Sequence, residues 1–185
     1  MLQPEATPRA KWLKGWIFDW AETLIFALVL ALIIRAFFLQ VFWIPSGSMI
    51  PTFDIKDRIV VNKVVYHFSA PQRFDVIVFR SVPAMGDQKK DLIKRLIGLP
   101  GEKLQLKKGT VFINDVPLTE KHSMNLDFCD FGPVMVPADS YFVLGDNRPA
   151  SADSRYWGFL PTKNVIGPAF LQIWPLNKIR LISRG

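Results

Sequence analysis

One cysteine, Cys129, and two histidines, His67 and His122, are all that this 185-residue chain offers of those two residue types. A single cysteine closes no internal disulfide and builds no zinc cluster, and two histidines argue against a polyhistidine metal site. The chain has no internal repeat and no low-complexity tract. Between residues 45 and 185 it also lacks any long helical period and any second apolar stretch that could span a bilayer. Ala169–Ile182 comes nearest, but Pro175, Lys178 and Arg180 break it. What is present is 50% hydrophobic and 21% charged, which excludes a disordered polymer and a purely polar nucleic-acid tail. The net charge of +7 suits nucleic acid and anionic lipid equally. The order of the residues has to decide between them.

The apolar residues are concentrated near the start. From Thr23 to Ile44 only Thr23, Arg35 and Gln40 are polar. Such a run, as a helix rising about 1.5 Å per residue, reaches across a bilayer core of about 30 Å. Trp12, Trp16 and Trp20 recur every four residues and so share one helical face, like an interfacial aromatic belt. Arg9, Lys11 and Lys14 favour a cytoplasmic N-terminus. The span is expected near Thr23–Trp43, with Arg35 snorkelling to the far headgroups. The apolar run is longer than a signal-peptide core and no A-x-A site follows it, so a cleaved leader fits less well. The expected organisation is therefore an N-tail and anchor over 1–44 and an extracytoplasmic domain over 45–185, which the motifs below make the candidate catalytic domain.

The outer part reads as β structure. Arg58–Tyr66, Phe74–Phe79, Asp91–Ile97 and Ser140–Leu144 are short and rich in β-branched and aromatic residues, with turn signals between them. Val111–Leu118 reads as a hairpin turning at Asn114-Asp115, and Val165–Trp174 as a last strand. The fold class expected is mainly β: one N-terminal transmembrane helix, then an antiparallel sandwich or barrel-like domain. The stretch 105–135 has the most loop character and reads as a small inserted region.

Three segments carry candidate chemistry. The first, Ser46-Gly47-Ser48-Met49-Ile50-Pro51-Thr52, follows the apolar run directly. Gly47 permits a tight backbone and the prolines at 45 and 51 stiffen it, which would hold Ser48 in a fixed pose; an ordinary Ser/Gly/Pro loop reads the same way. The second is Lys94-Arg95-Leu96-Ile97-Gly98-Leu99-Pro100-Gly101. On a strand, Leu92, Lys94 and Leu96 share a face. If that face is buried, Lys94 loses its charge readily and becomes a base; on an edge strand it would instead be a protective surface lysine. The third runs from Gly145 to Arg155 and alternates carboxylates and guanidiniums with hydroxyls among them. Exposed ion pairs are worth only about 0–1 kcal/mol each, so stability alone explains that density poorly.

In this order, after an anchor, the segments SGSMIPT, KRLIGLPG and GDNRPASADSR resemble the signature boxes of bacterial type I signal peptidases (leader peptidases), which are membrane-anchored Ser/Lys endopeptidases. The resemblance runs from the anchor to about Trp174. It implies that Ser48 is the nucleophile and Lys94 the general base. Ser46 and the Ser48 N–H would form the oxyanion hole, and Ser151 would orient the lysine. Asp153 and Arg155 would form a supporting ion pair, with Asp146 and Arg148 structural in the same loop. The substrate pocket would be lined by Phe42, Ile44, Pro45, Met49, Phe53 and Ile93. Glu102 stands where aspartate is frequent, a minor departure.

The resemblance further implies no metal and no cofactor. The partners would be precursor proteins with signal peptides and the lipid bilayer, with room for transient contact with the secretion machinery and with no nucleic acid. The chain would sit in the bacterial cytoplasmic membrane with its catalytic domain outside. A Ser-His-Asp triad is a poor rival, since no G-x-S-x-G is present. A membrane-anchored basic module without catalysis would explain charge and anchor, but not three boxes in order. A specialised processing peptidase of the same clan, such as one maturing pilin, keeps the chemistry and changes the substrate.

Overall fold

The computed structural model describes residues 20–32, 38–86 and 90–183. Residues 20–32 form helix α1, and 39–183 belong to a separate unit whose regular structure is mainly β-strand. No helix among the described residues is long and apolar enough to cross a membrane. Trp12, Trp16, Arg9, Lys11, Lys14 and Arg35 lie outside the described residues.

The C-terminal end of the expected span differs. Leu39–Trp43 is strand β1, paired antiparallel with β2 (Arg58–Asn62) from Leu39↔Asn62 to Trp43↔Arg58. Phe42 turns toward a core cluster while Val41 and Trp43 stay exposed. A predominantly apolar run hides this change, because periodicity alone does not tell helix from strand in such a stretch. The sheet therefore takes in residues 39–43, which the sequence reading had assigned to the anchor.

Further strands are β3 (Val76–Arg80), β4 (Asp91–Gly98), β5 (Lys103–Lys107), β6 (Thr110–Ile113), β7 (Val116–Pro117) and β8 (Phe131–Met135). They are followed by β9 (Ser140–Leu144), β10 (Leu160–Pro161), β11 (Val165–Trp174) and β12 (Arg180–Leu181), with a short helix α2 (Ser154–Trp157) after β9. They form two antiparallel sheets. The larger runs β1-β2-β11-β3-β4-β9-β10, with β12 on β11; the smaller runs β7-β6-β5-β8.

Strand β4 lies between β3 and β9 and is buried from Ile93 to Gly98. Ile93 joins a cluster with Ile59, Val61, Val76 and Val78, whereas Leu96 joins another with Ile77, Phe79 and Val143. A strand buried on both faces reads as a continuous apolar run; the exception in β4 is the pair Lys94-Arg95. Strand β11 accommodates Pro168 because its register with β2 and β3 shifts at several points, and bulges are where a sheet tolerates proline.

The expected strand Arg58–Tyr66 stops at Asn62, whose Oδ1 accepts the N–H groups of Val64 and Val65 at 2.9 and 3.1 Å. That local side-chain bond competes with the ladder and turns the chain. The Asn114-Asp115 hairpin is present, with φ of +51° and +68°, the left-handed pair that this tight turn requires. Within the expected loop-like stretch 105–135, strands of the smaller sheet occupy parts of 105–117 and 131–135, and 118–130 holds no named strand. Strand β8 was illegible because Gly132 and Pro133 argue against a strand, and it forms because it lies at that sheet's edge.

Gly98 marks the crossing from β4 toward the smaller sheet. A Cβ there would lie 2.8 Å from Phe142 Cβ, 3.0 Å from Leu104 Cδ1 and 3.2 Å from Val136 Cγ2. Gly98→Ala is expected to lower stability by about 1–3 kcal/mol, the usual cost of overpacking, as read by urea melts of the purified protein.

Candidate active site

Ser48 sits in a single 3-10 turn, Gly47–Met49, between β1 and β2. The turn follows an extended Ser46 and closes with the Ile50 N–H donating to Gly47 O at 3.2 Å. Ile44 and Met49 on either side are buried in one cluster and pin it to the sheet. Ser48 is buried, Ser46 is exposed, and their hydroxyl oxygens are 3.4 Å apart.

Lys94 comes from the middle of β4, an interior strand, so it is no edge-protecting lysine. Alternation puts it on the face of Leu92 and Leu96, and it is 3% exposed. Its Nζ donates to Ser48 Oγ at 2.5 Å. Burial takes its pKa from 10.5 down to about 8, with the charges of Asp153 and Asp146 opposing in part. Near pH 8 about half of such amines are neutral, and a neutral amine at this distance can accept the serine proton.

The segment 145–155 wraps behind this pair. A Cβ on Gly145 would lie 2.2 Å from Ser151 Oγ and 2.5 Å from Ser48 O, so only glycine lets the end of β9, Ser48 and Ser151 meet. Ser151 is buried and its Oγ has no hydrogen-bond partner among the described residues. The hydrogen bond to Lys94 that the resemblance implies is therefore not formed here; the lysine bonds to Ser48 Oγ instead.

Asp153 takes Arg155 at both oxygens, 2.8 and 2.9 Å. It also accepts the Gly145 N–H at 3.1 Å and caps α2 through the Arg155 N–H. Asp146 and Arg148 are buried in ion pairs with other partners. Asp146 accepts Arg95 Nε and Nη2 at 2.8 and 2.6 Å and the Thr52 hydroxyl at 2.5 Å. Arg148 pairs with Glu120 and donates to Gly145 O at 3.0 Å.

The family described as "Signal peptidase, peptidase S26" matches residues 17–174. The chain belongs to this signal peptidase family. Signal peptidase I of Leptolyngbya laminosa is 43% identical over 182 residues, covering 95% of this chain and 90% of that protein. The probable signal peptidase I-2 of a Synechocystis species is 38% identical over 181 residues, covering 97% and 81%. Signal peptidase I P of Bacillus subtilis subsp. natto is 36% identical over 179 residues, covering 90% and 94%. The protein is a peptidase, not a basic anchor module without chemistry.

Within this signal peptidase the segment between β7 and β8 straps the 145–155 loop. Asn125 N–H donates to Asp146 O at 2.8 Å, and Arg148 N–H donates to Asn125 O at 3.0 Å. Asp127 takes Arg155 Nη1 at 2.6 Å, and Cys129 Sγ lies 3.2 Å from the same nitrogen. His122 Nε2 is 3.5 Å from both Glu120 and Asp146. Burial, then the charge of Arg95, lowers its pKa to about 4, so it is neutral at ordinary pH. Sequence reading missed Glu120, Asn125 and Asp127, since nothing local marks residues whose partners lie more than twenty positions away. Arg95 and Thr52 stood inside the quoted segments, but only the fold shows them meeting at Asp146.

Of the expected pocket residues, Ile44, Met49, Phe53 and Ile93 share one buried cluster with Phe42 packed against it, and Pro45 is exposed. Ile44, Met49 and Phe53 are at most 1% exposed. Here they are core under the site, not an open cleft.

The Lys94 shift fixes a stability test. Between about 8 and 10.5 the unfolded state binds the extra proton, so this group's contribution to stability rises with pH across that window. Below about 8 the penalty levels off at about 3 kcal/mol, at about 1.36 kcal/mol per pH unit. Lys94→Met should therefore be as stable as wild type or more so at pH 7. Its advantage should shrink in denaturant melts taken toward pH 10; a difference that stays flat means an ordinary lysine.

Proposed function

We propose that this signal peptidase removes N-terminal signal peptides from exported precursors by Ser48/Lys94 acyl-enzyme chemistry. One observation carries the reading: a buried amine with a pKa near 8, 2.5 Å from a serine hydroxyl on a pinned turn. Neutral Lys94 takes the Ser48 proton as Oγ attacks the scissile carbonyl. Ser46 Oγ–H and the Ser48 N–H meet the developing oxyanion. Lys94 then hands the proton to the leaving amine, and water releases the acyl group while Lys94 serves again as base. Ser151, buried beside Gly145 and Ser48, receives the lysine hydrogen bond when Ser48 gives up its own. Neither metal nor cofactor takes part.

The substrate is a signal peptide with small residues before the cut, which meets exposed Pro45 and partly buried Phe42, with Ile44, Met49, Phe53 and Ile93 as the packed floor beneath them. The apolar run from Thr23 supports anchoring in the bacterial cytoplasmic membrane, N-terminus inside and catalytic domain outside. Exposed Phe38, Val41 and Trp43 support a site held at the bilayer surface, within reach of the secretion machinery.

Three outcomes are expected with a detergent-presented precursor. Ser48→Ala leaves no processing in a protein that still folds, and N-terminal sequencing of the wild-type product identifies the cut. For wild type, kcat/KM falls about tenfold per pH unit below about 8, the acid limb of a base that must be neutral. Ser46→Ala lowers kcat by roughly 10²–10³, the loss of one oxyanion donor. Turnover in Ser48→Ala points to another nucleophile.

A further inference from the structure

Asn147 reaches across the site and holds two successive carbonyls of the serine turn. Its backbone N–H donates to Ser48 O at 3.0 Å, and its Nδ2 donates to Gly47 O at 2.9 Å. Gly47 O and the Ser48 N–H belong to one planar trans peptide and point in opposite directions. Whatever fixes that carbonyl therefore fixes the direction of the N–H. Inside the turn Gly47 O accepts the Ile50 N–H at 3.2 Å; the shorter Asn147 bond adds a second hold where one is useful, because Gly47 has no Cβ and glycine leaves the peptide plane freer to rotate than any other residue. A donor on the carbonyl also polarises the peptide, which strengthens its N–H as a donor.

The orientation of the Asn147 amide is itself set. Its Oδ1 accepts Asn125 Nδ2 at 3.3 Å, which leaves Nδ2 to face Gly47 O. Asn125 pairs through its backbone with Asp146 and Arg148, the residues on either side of Asn147. A chain of hydrogen bonds thus runs from the inserted region through Asn147 to the Gly47–Ser48 peptide.

We infer that Asn147 is a positioning residue that aims the Ser48 N–H at the oxyanion, and that Asn125 of the inserted region sets its amide. This rests on the reading of Ser48 as nucleophile with its own N–H as oxyanion donor. Asn147 touches no reacting atom; it acts through the peptide it holds.

The test compares full-length wild type, Asn147→Ala, Asn147→Asp and Asn125→Ala in detergent with a signal-peptide substrate. Asn147→Asp is nearly isosteric and replaces the Nδ2 donor by an oxygen facing Gly47 O. Loss of aim at one oxyanion donor is expected to lower kcat roughly 10–100-fold, part of the effect of deleting such a donor. KM should stay within about twofold, because ground-state binding is untouched. The acid-limb midpoint should not move in Asn147→Ala or Asn125→Ala, because the surroundings of Lys94 are intact, whereas the new carboxylate of Asn147→Asp beside the serine turn raises it, so kcat is compared above the acid limb. Asn147→Asp should be at least as impaired as Asn147→Ala, and Asn125→Ala should fall in the same direction by less. A kcat within about twofold of wild type in a normally melting Asn147→Asp overturns the inference. So does a loss accompanied by a raised KM or, in Asn147→Ala, a shifted midpoint, or a collapsed melt in both Asn147 variants, since each assigns Asn147 to holding the fold. Ser48→Ala run alongside separates the two levels: turnover there sinks the catalytic reading itself, whereas inactivity there with unimpaired Asn147 variants sinks this inference alone.

Discussion

The site depends on keeping one amine out of water without giving it a counter-ion. Lys94 is buried, and burial is the largest influence on its charge. The two carboxylates that act to raise its pKa are Asp153 and Asp146. Each is already taken: Asp153 by Arg155 at both oxygens, Asp146 by Arg95 at both oxygens. An uncommitted carboxylate beside a buried ammonium would hold the proton on it. The guanidiniums, whose charge is permanent, absorb the field of these carboxylates and leave desolvation in control. The density of charge in the 145–155 loop thus has a reason that surface stability did not supply. Buried pairs of this kind add little net stability over apolar packing, but removing one partner is costly because it strands the other.

That arrangement needs support from outside the loop, and the segment between β7 and β8 supplies it. Glu120, Asn125 and Asp127 each reach back from the segment between β7 and β8 to Arg148, Asn147 and Arg155 in turn. The smaller sheet is tied to the larger one, with Leu104, Leu106 and Val111 buried in a cluster shared with Ile97, Phe142 and Leu144 of the larger sheet. Strand β9 ends at Leu144, so Gly145 starts the loop at a point fixed by packing. The serine turn is held by Ile44 and Met49, and the lysine by the centre of β4. Three separately anchored elements converge within hydrogen-bond distance, and none needs a long flexible side chain to get there except the lysine.

Much of this was legible in the sequence, for physical reasons that differ by element. Val165–Trp174, Ser140–Leu144 and the Asn114-Asp115 turn were readable because β-branched runs and left-handed turn residues act locally. Lys94 between two leucines was readable as either buried or protective; its place inside the sheet decides, and a strand's neighbours are not written in the strand itself. Leu39–Trp43 hid inside an apolar run, and β8 hid behind Gly132 and Pro133. Membership of the signal peptidase family followed from three boxes in order, whereas the partners of Asp146 and Arg148 did not. Charged residues next to each other in sequence invite pairing, but here the backbone turns them toward Arg95 and Glu120.

The most direct measurement is the titration of the Lys94 amine itself. With lysine carrying carbon-13 at Cε, the Lys94 resonance is identified by its loss in Lys94→Met and followed from pH 6 to 11. Burial against Ser48 predicts a midpoint near 8, set apart from the other lysines. A Lys94 midpoint with the rest, near 10.4, would mean an amine that stays charged at working pH, and the Ser48/Lys94 chemistry would have no base.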